Sequence, residues 1–300
     1  MSAPSGVESG VEGRLPAMGV PGASSAALRR WPPRWLTVVG VSAVVTTALT
    51  VWLGLWVTPP DEVQGNLARL LYVHPAVATV ALYWAGGVAC AASLLYLWGR
   101  TRSFFWDRLA AAAVEVGAVF SALTLVTGSL WGRPVWGVWW TWDARLTLTA
   151  VLLILEVGYL ALRRVPADPH VRARRCAVVA LLVAVDVPIV HFSVDWWSTL
   201  HQGGTILDPG FALHVHGSML WTMLLSFIAF TLVFVWLLAM RYRVEVLEDA
   251  VGDQQLEVSL AERWSEDTAT ARRAESPETG MPVAALHGGE LSASGSEGER

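Results

Sequence analysis

"RARRCAVVALLVAVDVPIVHFSVDWW", Arg172 to Trp197, sets the fold class. Arginines crowd one end and tryptophans the other. Between them lies the apolar run Ala177–Val194, broken by Asp186, Pro188, His191 and Ser193. As a helix this run is near the minimum that crosses about 30 Å of hydrocarbon. Apolar blocks of the same kind recur at Trp35–Val57, Tyr72–Trp98, Leu109–Leu130, Leu146–Leu162 and Ala212–Met240. Across all 300 residues 54% are hydrophobic and 15% charged, against about a quarter charged in a soluble domain. Alternating strand-length segments are absent, which excludes a membrane barrel. The expected fold is all-α: a polytopic membrane protein with six transmembrane helices.

The flanks read differently. Residues 1–34 are rich in Ser, Gly, Ala and Pro and are expected to form a disordered tail. The first span is longer than a signal-peptide core and is taken as retained. Residues 35–243 form the membrane domain. Residues 244–300 read as an acidic, largely disordered tail, with an amphipathic helix expected around Val244–Trp264.

Arginine placement orients the spans. Arg29, Arg30 and Arg34 precede the first; Arg100, Arg102 and Arg108 lie between the second and third. Five more, from Arg163 to Arg175, separate the fourth and fifth, and Arg241 and Arg243 follow the sixth. Only Arg69, Arg133 and Arg145 fall on the other side. By the positive-inside rule both termini are cytoplasmic. The connections Thr58–Leu71, Trp131–Arg145 and Asp195–Phe211 then face outward.

That outer face holds the unusual chemistry. "WGRPVWGVWWTWDARL", Trp131–Leu146, carries five indoles: Trp131, Trp136, Trp139, Trp140 and Trp142. Trp196 and Trp197 add two more. An interfacial aromatic belt explains single tryptophans such as Trp35 or Trp98; it does not require five in one connection. Gly132, Pro134 and Gly137 predict a looped or oblique segment able to offer several ring faces to a flat partner. Offset stacking adds about 0.5–1.5 kcal/mol per aromatic pair. Haem is such a partner, with propionates for Arg133, Arg145 or indole N–H groups to meet.

Histidines reach the same face. His74 and His201 lie in separate connections flanking the tryptophan segment, and two imidazoles are a means of axial haem ligation. His191, about one turn deeper, competes with His201 for the second position. His214 and His216 open the sixth span without a supporting motif. Glu115, Glu156 and Asp186 sit inside spans, where acids are costly. Protonated side chains bonded between helices are the preferred reading for Glu115 and Glu156, while Asp186, which precedes Pro188, is read as helping to shape the pocket. Cys90 and Cys176 form no CxxC or CxxCH pattern, which argues against thiol redox chemistry and covalent haem attachment. Nothing resembles a nucleic-acid-binding face.

"GSLWGRPVWGVWWTWDARLT", with "LYVHP" and "VPIVHFSVDWWSTLHQG", resembles the CcmC family, six-span haem-handling proteins of cytochrome c maturation that share a WWD signature. The resemblance implies a bacterial inner-membrane protein that binds haem b transiently and non-covalently at the outer face. It further implies delivery to the chaperone CcmE, with CcmD and the ABC-type CcmA and CcmB as partners. It favours His201 over His191 beside His74, and maps the signature onto Trp131, Trp136, Trp139, Trp140, Trp142 and Asp143. Such a protein delivers haem and is no enzyme by itself. The competing readings are a haem lyase subunit of the CcsA or CcmF kind and a permanent b-type membrane cytochrome. Six spans and His201 in "HQG" argue against the first, and histidines gathered at one surface argue against the second.

Overall fold

The computed structural model describes residues 31–201 and 215–275. Six of its helices are long and apolar enough to cross a membrane. They are α1 (Arg34–Val57), α2 (Asn66–Leu97), α3 (Phe104–Trp136), α4 (Ala144–Arg163), α5 (Pro169–Trp196) and α6 (Gly217–Glu275). Each matches one expected span, and no strand occurs among the described residues.

The helices run past the apolar blocks because polar residues cap them. Ser103 Oγ accepts the Phe105 N–H at 3.2 Å. Asp168 accepts the N–H groups of His170 and Val171, with Pro169 in the first turn of α5. Each cap satisfies donors that the helix itself leaves open. The largest departure is α3. It stays helical through Trp131–Trp136 and Pro134, where a loop was expected. Proline at its final turn removes only one hydrogen bond, and hydrocarbon favours keeping every other backbone group bonded internally. Gly137, left-handed at φ +80°, is what ends the helix. The irregular part of the tryptophan segment is therefore only 137–143. At the other end of the chain α6 stays helical to Glu275, beyond the amphipathic stretch expected at 244–264.

The chain divides into two units, Met1–Leu247 and Glu248–Arg300. In the first, α2, α3, α4 and α5 pack as a ring, with α3 also touching α5. Ala89, Ala111, Ala113 and Ala180 are fully buried along the seams. Small residues there let backbones approach closely, as membrane helices need in the absence of a hydrophobic drive. Large side chains join α1 and α6 to one another and to α2. The Trp236 ring lies on Gly40, and Trp84 Nε1 donates to Thr231 Oγ1 at 3.1 Å.

Charges gather at the end of the ring away from the Trp131–Trp142 segment. Arg163 bonds both oxygens of Asp107 at 3.0 Å and Glu245 at 2.9 Å. Arg241 pairs with Glu245 at 3.0 Å and with Glu115. Glu115 thus bonds between helices as expected, from α3 to α6, with the Arg241 guanidinium as its partner in an ion pair. The cluster ties α3, α4 and α6. Glu156 and Asp186 are buried mid-span, and Glu156 Oε2 and Asp186 Oδ2 have no hydrogen-bond partner among the described residues.

Deleting one member of such a cluster leaves its partners buried and uncompensated, at a cost of about 3–5 kcal/mol. Arg163→Ala is expected to lose about that much stability in detergent, measured by unfolding in sodium dodecyl sulfate. Arg163→Lys should recover part of it.

Candidate functional site

A cavity of 630 Å³ opens at the tryptophan end of the ring. Pockets for drug-sized ligands span about 300–1,000 Å³. Its walls are mostly apolar, among them Leu71, Leu82, Leu125, Val135 and Phe227. Six of the residues singled out in the sequence line it: His74, His191, His201, Trp131, Trp136 and Arg145.

His74 begins a regular turn of α2 after the tighter 3₁₀ segment Asn66–Tyr72, with Pro75 pre-shaped for the helix start. Its Nδ1 lies 3.0 Å from Thr127 Oγ1 on α3. The Thr127 hydroxyl already donates to the Leu123 carbonyl at 2.8 Å, so its oxygen accepts from His74 Nδ1–H. Nε2 is left as the nitrogen with a free lone pair. Gly128 makes this seat possible, because a Cβ there would come within 3.1 Å of His74 Cε1. Gly132, one turn on, similarly admits the Trp136 ring.

His201 is held by a carboxylate. Its Nδ1 is 3.1 Å from Asp143 Oδ2, while Asp143 Oδ1 accepts the Leu146 N–H at 2.8 Å and so caps α4. A carboxylate accepts only, which again places the proton on Nδ1 and leaves Nε2 free. Burial disfavours the His201 imidazolium, outweighing the nearby carboxylate and holding its pKa below the ordinary 6.5. The ring is neutral at pH 7, the form that ligates metal. The Trp136 indole meets it edge-on at 4.9 Å, and Trp131 meets His74 at 6.0 Å. Trp131 Nε1 donates to Gln64 Oε1 at 2.8 Å. Gln64 sits in a turn where its N–H and that of Val63 bond Asp61 Oδ1, holding the Asp61 carboxyl below its ordinary range.

His191 lines the cavity with its Nδ1 2.5 Å from the Tyr83 hydroxyl. Tyr83 belongs to a π-type turn, Val80–Ala85, and such turns recur at functional sites. Arg145 donates to the His191 carbonyl at 2.8 Å, which fixes its guanidinium on the wall.

The remaining predicted residues stand outside the cavity. Trp139 and Trp142 are 58% and 83% exposed, and Arg133 lies over the Trp139 ring at 5.9 Å. Trp140 meets Trp142 edge-on, and Trp196 stacks on Phe192. Trp142 and Trp197 border a separate shallow hollow with Asp143. His216 is exposed, and His214 lies outside the described residues. Sequence reasoning missed Thr127, Gly128, Gln64 and Tyr83. Only Gly128, three residues before Trp131, carried a usable signal, since glycine within a helix implies close approach.

The family model for CcmC, "Heme exporter protein C", matches residues 20–257. The chain belongs to the heme exporter protein C family. It is 38% identical to heme exporter protein C of Haemophilus influenzae, over 66% of this chain and 79% of that protein. With the Escherichia coli protein of that name it shares 37% identity, over 72% and 84% of the two chains. It is also 36% identical to a putative cytochrome c biosynthesis ccmC-like mitochondrial protein of Arabidopsis thaliana, over 67% and 74%.

Displacing the support of one ring should act on the site alone. Support of this kind is worth about 10–100-fold in metal affinity. Gly128→Val is expected to cut haem retained through purification by about 10-fold, with helical content unchanged by circular dichroism. Gly158→Val, where an added side chain meets open space, should retain haem like the parent.

Proposed function

We propose that this family member binds haem in the cavity of 630 Å³ and hands it to the chaperone CcmE for cytochrome c maturation. Haem is its cargo. His74 and His201 supply the two axial nitrogens, and Trp131 and Trp136 flank the macrocycle. The observation that carries this reading is the matched pair of imidazoles. They come from two separate segments, line one apolar cavity, and each commits Nδ1 to a protein acceptor while keeping Nε2 free. Bis-imidazole ligation of iron needs that arrangement.

The cavity faces the extracytoplasmic side of the bacterial inner membrane; arginine placement supports this sidedness, with both termini in the cytoplasm, and the family resemblance supports the membrane. Binding is non-covalent, in keeping with the lack of a CxxCH motif, and the cargo is haem b. CcmD and the CcmA–CcmB complex serve as partners, and ATP-driven work falls to them. The chain acts by delivery and has no catalytic role of its own. Arg145 meets a propionate. Asp143 acts through His201. Trp139, Trp142, Trp196 and Trp197, exposed beside the cavity, serve as the landing surface for the chaperone.

In haem-loaded protein, His74→Ala and His201→Ala are each expected to lose the six-coordinate absorption spectrum. Trp136→Ala should weaken haem retention, whereas Trp142→Ala should leave it intact and slow transfer to purified CcmE. An unchanged six-coordinate spectrum in both histidine variants would overturn the axial assignment. Haem that stays with the parent protein when CcmE is added would overturn delivery.

A further inference from the structure

The two proposed axial histidines are held by chemically different groups. His74 Nδ1–H is accepted by a neutral hydroxyl, Thr127 Oγ1, whose own hydrogen is committed to the Leu123 carbonyl. His201 Nδ1–H is accepted by a carboxylate, Asp143 Oδ2. An acceptor on the far nitrogen raises the basicity of the ligating one, and an anionic acceptor does so more strongly than a neutral one. Asp143 is well placed to exert that effect steadily. Its side chain is 7% exposed, and its second oxygen is anchored on the first turn of α4.

From this asymmetry, and resting on the haem reading above, we infer that Asp143 is a positioning residue that makes His201 the stronger iron donor, so that His74 is the axial ligand exchanged when haem leaves. In that step the bond from iron to His74 Nε2 breaks, its electron pair returns to the imidazole, and a bond to the incoming ligand forms. The bond to His201 persists, and no electron is transferred. The WWD aspartate thereby sets which side of the haem opens. Its link to the iron runs through an imidazole from a different connection, and it need not touch the macrocycle.

Asp143→Asn tests this without removing the helix cap, because asparagine caps as well as aspartate. The amide oxygen can still accept from Nδ1–H, but the negative charge is gone. The full chain, loaded with haem, is titrated potentiometrically. A tenfold loss of preference for ferric over ferrous iron raises the midpoint potential by about 59 mV. A rise of that size is expected for Asp143→Asn in the parent and in a His74→Gly variant filled with free imidazole. None is expected in His201→Gly filled with imidazole, where the relay from Asp143 is cut. A purely structural role would shift both backgrounds alike.

Carbon monoxide then reports which ligand departs. In the ferrous adduct the C–O stretching frequency depends on the donor strength of the nitrogen opposite. Asp143→Asn should move that frequency and Thr127→Val should not. The reverse pattern shows that His201 departs and overturns the inference, as does an equal potential shift in the two glycine backgrounds or no shift in the parent. Failure of the haem reading itself looks different: both glycine variants would keep bis-imidazole haem without added imidazole.

Discussion

Asp143 uses its two carboxylate oxygens for two separate tasks. Oδ1 closes the first turn of α4, and Oδ2 fastens the imidazole that follows α5. The connection between α3 and α4 is thereby locked to the one leaving α5, two segments far apart in the chain. The charge sits on a helix N-terminus, where the peptide dipoles favour it. Without this residue the start of α4 and the wall carrying His201 would lose their common anchor. The cavity depends on that anchor, because its other wall, built by α2 and α3, is already fixed by close packing around Gly128.

Hydrocarbon enforces a division of labour along the ring. Backbone groups must bond within each helix, so irregular structure is confined to the ends. At one end the cluster of Arg163, Asp107, Glu245, Arg241 and Glu115 ties three helices by charge. At the other, imidazoles and indoles surround a cavity with Arg145 on its wall. The cavity end leaves Nε2 of His74 and of His201 free, their Nδ1 atoms being the ones that protein groups hold.

Much of this was legible in the chain itself. Apolar blocks bounded by arginine gave six spans, because length and hydropathy are local properties. His74, His201 and the indole cluster were visible as types concentrated in the sparsely charged connections. Their division into cavity lining and exposed rim was not. Trp131 and Trp136 face inward because α3 stays helical through Pro134, and that outcome reflects the solvent around the backbone more than local propensity. The second task of Asp143 was hidden as well, since its partner lies 58 positions away. Thr127 gave no signal at all: a threonine in an apolar span looks like any other that bonds back to its own helix.

The one guanidinium that lines the cavity among the described residues, that of Arg145, has a geometric consequence for the proposed cargo. Two nitrogens on opposite faces of a disc define an axle, and a disc on an axle can spin. Arg145, pinned by its bond to the His191 carbonyl, stands off that axle and attracts only the acidic edge. If haem binds as proposed, Arg145 would act as an index pin, turning a site indifferent to the ring's rotation into one that favours a particular angle.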